Sequence, residues 1–572
     1  MSEQDLFSDV GVPRHQSTTS ASQGEAAPDR CGRVRNAALW AAYGDALGWI
    51  SELTNSSGLS RRTRGKPLTE PMAWTRRIGG RSGVNAELPQ GCYSDDTQLR
   101  LATSRAIRRD GFDVEAFAKV ELPVWLSYGL GGGKSTSAAA QHLTQSSSIW
   151  WRNRFKGWTN SGGNGAAMRI QPHVWAAHNP EQPESYLLDV VRNAICTHSH
   201  PTGLMGAVLH AQCVAYSLNT GTVPPPGKFE SMLAVANDLP EMIDGDRDLS
   251  LWRVAFEEEA GPFRDVWATA LDQARQAITT ADGCANATGE ERYRTTVDEL
   301  GLRDSALRGS GMLTSVAATA LAWCEPRAGE AMCIAANTLG TDTDTIATMA
   351  GAILGAVVDE NPPVDVLDVD LIRCDAERLA DIGCGREPTN HRYPDLMHWV
   401  APKTRADALA RSPNGRLVVR GLGAATQLED WDELASKAFR WRWLRLDFGQ
   451  TIFIKSRENL PVEDESPRRK PLGRRIPRAP RDATPHGKPV DMHPSGRDAG
   501  ASARPTQQEP QGPAEAHDVR AVVAYAREHI DDDEAVGRVL RRVVHKGTPG
   551  EIAGFVAALV DLLKGDRAGR AS

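Results

Sequence analysis

The 572-residue chain has no apolar run approaching the ~18 residues that a membrane-spanning helix needs. The longest, Ile346 to Val358, is short and bounded by Asp344 and Asp359, so no membrane association is expected. The first ten residues, MSEQDLFSDV, lack the apolar core of a secretory signal and carry acids instead. Nine cysteines are an odd number and include no C-x-x-C pair. That argues against a disulfide scaffold or zinc ribbon and for reduced thiols in a cytoplasmic protein. There is no excess of positive charge either. A net charge of −7 excludes a chain basic throughout that coats nucleic acid, while leaving local basic patches open. What is present, 40% hydrophobic and 24% charged residues, is ordinary for a globular protein. The length exceeds one compact core and implies several units.

Residues 1–30 are small and polar and read as a disordered tail. Residues 31–400 change character. Alanine-rich stretches with helical spacing follow one another at 33–52, 96–109, 185–218, 250–281, 312–338 and 344–358, so this region reads as one all-α domain. Residues 401–457 read as a small mixed α/β appendage, with a few alternating strands around a short helix at 429–438. Residues 458–516 read as a disordered linker: 11 of the 34 prolines fall between Pro461 and Pro513, beside a basic run from Arg468 to Arg481. Residues 517–566 recover helical pattern, with Thr548-Pro549-Gly550-Glu551 as a start signal. Such a module is too small for an enzyme and suits a protein partner.

Two acidic clusters carry the chemistry. Ser94-Asp95-Asp96-Thr97 precedes one helix, and Gly340-Thr341-Asp342-Thr343-Asp344-Thr345 precedes another. Each taken singly reads as a helix cap, since Asp, Ser and Thr all cap and acids favour the positive end of the helix dipole. A cap needs one carboxylate, however, and each cluster has two. Carboxylates and hydroxyls together suit hard divalent cations. An EF-hand is excluded, because counting from Asp342 places Ala347 where glycine is required and Ile353 where glutamate is. The Gly129–Ser135 stretch resembles a P-loop but has Tyr128 at the first glycine position and no strand before it. In the helix over 33–52, Gly44 and Gly48 should permit close approach of another helix.

Five stretches in order resemble the ADP-ribosylglycohydrolase family, which includes the dinitrogenase reductase-activating glycohydrolases. They are GDALGWISE at 44–52, YSDDTQL at 93–99, GGNGAAMRIQP at 162–172, THSHPTGLMGA at 197–207 and GTDTDTIATMAGAILGA at 340–356. The resemblance implies an all-α fold with two Mg²⁺ ions in a cleft, with Mn²⁺ also suited to the all-oxygen ligand set. By position, the metal ligands fall on Ser94, Asp95, Asp96, Asp342, Asp344 and Thr345, with Ser94 in place of the more usual threonine. Glu52 falls on a mobile glutamate that lies over the metals in some members. Asn164, Gly165 and His198 match positions that hold ADP-ribose, whereas His200 has no assigned role. The implied activity is metal-dependent hydrolysis of the N- or O-glycosidic bond linking ADP-ribose to a modified macromolecule. Glu52 is then the general base, and Asp96 orients or shares that proton. The alternatives are a catalytically silent ADP-ribose-binding protein, or a scaffold whose working part is the C-terminal half.

The stretch between Glu52 and Ser94 reads as a long loop at the rim of the cleft. It carries Arg61, Arg62, Arg64, Lys66, Arg76, Arg77 and Arg81 against only Glu70 and Glu87, with Trp74 among them. Its charges either meet only the pyrophosphate of ADP-ribose or recruit a polyanionic substrate, an ADP-ribosylated nucleic acid or acidic protein, with Trp74 available for stacking.

Overall fold

The computed structural model describes residues 30–462 and, beyond them, residues 527, 536, 540, 543, 555, 556 and 559. The expected tail, all but the first residues of the linker, and most of the C-terminal module lie outside the described residues. The chain divides into two units, Met1–Gly473 and Arg474–Ser572. In the second, the described residues are helical, with Val543 and Phe555 buried. Among the described residues no helix is long and apolar enough to cross a membrane.

The first unit is built on helices, and two of them fix the position of everything else. Helix α1 (Arg30–Gly48) and a later helix over Thr343–Gly355 are buried along almost their whole length. They pack antiparallel with backbone against backbone. A Cβ on Gly48 would lie 2.4 Å from the Thr343 carbonyl oxygen, and one on Gly44 would lie 2.5 Å from that of Ala347. Reciprocally, a Cβ on Gly351 would lie 2.4 Å from the Trp40 carbonyl oxygen. Two hydroxyls seal the contact: Thr343 Oγ1 donates to the Gly48 carbonyl at 2.8 Å, and Thr348 Oγ1 to that of Ala41 at 2.7 Å. The end of α1 therefore meets the beginning of its partner.

Residues 53–93 are not one loop. Asn55 caps a short helix, α2 (Ser56–Arg62), by accepting the Gly58 N–H at 2.9 Å. A β-hairpin follows, β1 (Trp74–Ile78) paired with β2 (Val84–Leu88), turning through Gly79 and Gly80 at φ 86° and 67°. Trp74, Val84, Ala86 and Leu88 are buried, so the hairpin forms because one of its faces covers the core. Next comes α3 (Asp95–Arg105), followed by α4 (Pro201–Thr220), α5 (Gly311–Cys324), α6 (the Thr343–Gly355 helix) and α7 (Val369–Gly383), with further helices between, Phe263–Gly283 among them. Three expected helical stretches are broken: 185–218 at His200-Pro201, 250–281 at Gly261-Pro262, and 312–338 around Pro326. Proline removes the donor and glycine accepts the backbone turn at these points.

Residues 409–457 form a six-stranded antiparallel sheet from β3 (Leu409–Arg411), β4 (Leu417–Val419), β5 (Gly423–Gln427), β6 (Leu434–Ser436), β7 (Phe439–Leu446) and β8 (Thr451–Arg457). The order is β8-β7-β5-β4-β3, with β6 also on β7. The helix expected at 429–438 is absent. Lys437, at φ 57°, closes a β6–β7 hairpin, and Trp431 packs edge-on against Trp443 with ring centroids 4.8 Å apart. Tertiary packing has overridden local helix propensity there. The sheet shares the hydrophobic core of the helices through Val419, Leu444, Ile452 and Ile454. Two buried polar ties reinforce it. Asp368, at φ 61° before α7, accepts the Thr451 N–H at 2.7 Å and the Tyr93 hydroxyl at 2.8 Å. The buried Arg105–Glu121 ion pair reaches Gln450 at 2.8 Å.

Candidate active site

The α1–α6 contact brings Glu52, just beyond α1, onto the first turn of α6. One carboxylate oxygen each from Glu52, Asp342 and Asp344 lies within 4.8 Å of the others. The second acidic cluster is drawn in by a residue for which the sequence reading had no role. Asp45, fully buried in α1, accepts the Ser94 N–H through Oδ1 and the Thr97 N–H through Oδ2, both at 2.9 Å. It thereby caps α3 from outside and holds the start of that helix against α1. Arg100, buried one turn further on, bridges Thr97 and Thr348 at 2.8 Å each and joins α3 to α6. An acid inside the otherwise apolar stretch from Ala37 to Leu47 is the signal that could have revealed Asp45, since a buried charge demands partners.

Within this frame Ser94 is the N-cap of α3, its Oγ accepting the Asp96 N–H at 3.2 Å. Asp95 Oδ1 accepts the Gly132 N–H at 2.8 Å, and a Cβ on Gly131 would sit 2.3 Å from that oxygen. The glycine run that mimics a P-loop is thus the seat of Asp95. Asp96 Oδ2 is buried and has no hydrogen-bond partner. Asp342 Oδ2 accepts the Asn164 amide at 2.9 Å, and Asp344 Oδ1 accepts the N–H of buried Thr345 at 3.0 Å.

The carboxyls raise one another's proton affinity. Burial first, then Glu52, pushes Asp95 up to about 7, against the opposing Gly132 N–H. Asp96 is held well above the usual carboxylate range by burial, Asp45, Asp95 and Asp342, with Arg100 opposing. Asp344 is raised likewise by burial, Glu52, Asp342 and Asp96. Such crowding is relieved either by protons or by cations, and an orphaned carboxylate oxygen beside all-oxygen donors fits a hard divalent cation.

Glu52 is gripped from its other side. Both Nη atoms of Arg76 donate to its Oε2 at 3.0 Å, and Arg62 donates to its backbone carbonyl at 2.8 Å. Trp74 is buried and carries the Arg62 and Arg76 guanidinium groups at 5.1 and 5.7 Å from its ring. It is a platform for arginines, and the expectation that it stacks on a base does not hold.

On the opposite flank, Asn164 bridges Asp342 and Thr314, and Gly165 packs under His198, whose Cε1 would lie 2.8 Å from a Cβ there. His198 is buried, with a pKa lowered to about 3 by burial and Arg169. Its Nδ1 lies 2.8 Å from Thr197 Oγ1, which itself accepts from Arg169. The neutral ring is thereby fixed in orientation. His200 acquires a role as the cap of α4, accepting the Thr202 N–H at 3.2 Å.

The sequence profile of the ADP-ribosylglycohydrolase family matches residues 26–385, more than half of the chain. The chain belongs to the ADP-ribosylglycohydrolase family. It is 28% identical over 208 residues to the uncharacterized protein YegU of Escherichia coli (strain K12), covering 36% of this chain and 54% of that one. The chain thus spans about half the length of the curated relative it matches. A solved structure titled ADP-ribosylglycohydrolase-related protein complex aligns at 20% identity and TM-score 0.40, covering 62% of this chain and 99% of that one. The six-stranded sheet lies beyond the residues that match the family.

Proposed function

We propose that this family member hydrolyses the N- or O-glycosidic bond between ADP-ribose and a modified macromolecule, releasing ADP-ribose, and that it needs two divalent cations, Mg²⁺ or Mn²⁺. One observation carries the reading: two helix entrances some 250 residues apart in sequence are packed so that their acids crowd together, with Asp96 Oδ2 left unpartnered. Ser94, Asp95, Asp96, Asp342, Asp344 and Thr345 would hold the cations. When bound, these would supply Lewis-acid polarisation of ribose hydroxyls and water.

The remaining work falls to the protein's own groups. Asn164, Gly165 and His198 flank the acids on one side and hold the ADP-ribose. The distal ribose then lies against this cluster, where the glycosidic bond breaks through an oxocarbenium-like transition state. Glu52, with its proton affinity raised by burial and Asp342 and restrained by Arg76, takes the proton of the attacking water. Asp96 orients that water.

The test is incubation with ADP-ribosyl-arginine, ADP-ribosyl-serine and ADP-ribosylated DNA, with Mg²⁺ or with chelator, measuring released ADP-ribose. Release from at least one substrate, abolished by chelator, is expected. ADP-ribose binding without release from any of them would make this a binding protein instead.

A further inference from the structure

Two clefts meet at Arg76 and Arg77, beside Glu52. The first, of about 680 Å³, is lined by Arg61, Arg62, Arg64, Arg76 and Arg77; the rest of its wall is Thr54, Gly58, Thr75 and Asn85. No apolar side chain and no carboxylate lines it. The second, of about 400 Å³, runs between the β1–β2 hairpin and the six-stranded sheet, and adds Lys455 from the sheet and Arg405 from the segment just before it. The two walls are fastened together. The Lys455 N–H donates to the Ser127 carbonyl at 2.9 Å, and Ser436 Oγ to that of Ser82 at 2.8 Å. Its Leu126, Trp441 and Phe453 are buried beneath the surface, which leaves half-buried Ile78 beside Arg76, Arg77, Arg405 and Lys455.

Within the clefts Arg64 pairs with Glu87 at 3.5 Å and Arg76 with Glu52 at 3.0 Å. Elsewhere on the surface Arg154, Arg192, Arg264 and Arg303 each pair with a carboxylate. Arg61, Arg77, Arg405 and Lys455 make no ion pair among the described residues. Arg405 also repels Lys455, whose pKa is lowered by burial and by that neighbour. Positive charge is left uncompensated beside the acids of the site.

We propose that the two clefts form one trough that seats the phosphodiester backbone of a single-stranded nucleic acid, the acceptor that carries the ADP-ribose. This rests on the hydrolase reading above and names its substrate. ADP-ribose enters from the Asn164 and His198 flank, so the acceptor leaves along the Arg76 flank. A protein acceptor would bring an apolar interface core, for which the first cleft has no counterpart. Protein–nucleic acid interfaces are instead polar and strongly positive, and arginine forks match phosphate oxygens in pairs. Asp96 and Asp344 are only 2% and 4% exposed. A modified nucleotide must therefore leave a base stack to reach them, which a single strand does at least cost.

The test compares the full-length wild type with Arg61→Ser/Arg405→Ser, one substitution from each cleft at side chains that make no hydrogen bond or ion pair among the described residues. A fluorescein-labelled, unmodified single-stranded oligodeoxynucleotide is titrated by anisotropy over a salt series, with thermal melting to verify the fold. The basic run between residues 468 and 481 is common to both proteins, so their difference is the readout. Two lost phosphate contacts should make the slope of log affinity against log salt less steep by about 1.4. Between about 50 and 200 mM salt the wild type should lose roughly sevenfold more affinity than the variant. Identical slopes would overturn the trough, as would tighter binding of polyglutamate of equal charge, which would move the surface to acidic proteins. Release of ADP-ribose from the whole substrate panel, ADP-ribosylated DNA included, is read separately on the wild type. Its presence with identical slopes removes only the trough, whereas its absence with the expected slope difference removes the hydrolase reading and leaves the strand-binding surface.

Discussion

Glu52 stands between opposed influences. Burial and Asp342 raise its proton affinity, while Arg76 and Arg62 lower it. Replacement by glutamine keeps the shape and a hydrogen bond to Arg76 but cannot take a proton. Turnover of Glu52→Gln should fall by roughly 10²–10⁴-fold, with calorimetric affinity for free ADP-ribose little changed. Near-normal turnover would leave Glu52 as a gate. A second residue, His173, reports chiefly on burial. His173 packs edge-on against Phe112, its Nε2 has no partner, and burial with Arg169 and Arg192 lowers its pKa to about 3. The native ring thus stays neutral where the unfolded one, titrating near 6.5, gains a proton, so stability falls with pH below that value. Urea unfolding should show wild type losing about 2 kcal/mol more than His173→Phe between about pH 7.5 and about pH 5. Equal losses would mean that the histidine is protonated in the native state.

Among the elements, the α1–α6 contact positions the acids of both clusters, because Gly48 lies on the first turn of α6. Gly48→Ala puts a methyl 2.6 Å from Asp344 Cα, whereas Gly351→Ala puts one against Trp40, away from the acids. Each overpacking should cost about 1–3 kcal/mol. In melting experiments with and without Mg²⁺, only Gly48→Ala should also lose the metal-induced rise in melting temperature. A rise retained by both would mean that the contact does not position the ligands. The contact was partly legible in the sequence, where glycines on one face of a helix announced a close neighbour, and the doubled acids announced more than a cap. The part played by Asp45 is not legible there, because its two N–H partners lie about 50 residues away. The α2 helix and the hairpin between Glu52 and Ser94 were hidden by their arginines: what makes them structure is the burial of Trp74 and its neighbours, which only the folded core supplies. The same holds at Lys437, whose left-handed backbone turns an apparent helix into a hairpin.

For the molecule as a whole, the six-stranded sheet behaves as part of the helical unit's core. Ending the chain at residue 400 would strip Asp368 of Thr451, strip the Arg105–Glu121 pair of Gln450, and expose core residues that pack on Val419 and Leu444. A buried polar network left half-satisfied is costly. A chain ending at 400 should therefore melt far lower than full length or fail to remain in solution, whereas one ending at 462 should melt close to full length. Equal melting of all three would show that the sheet is dispensable to the fold.

The most direct measurement is the initial rate of ADP-ribose release as a function of Mg²⁺ concentration, for wild type and Asp344→Asn side by side on the best substrate of the panel. Asparagine keeps the size of the side chain and removes one of the crowded charges at the start of α6. The account predicts a rate that rises from near zero and saturates with Mg²⁺ in the wild type, and stays near zero at every concentration in the variant. Undiminished release by Asp344→Asn, or wild-type release indifferent to Mg²⁺ and chelator, would contradict it.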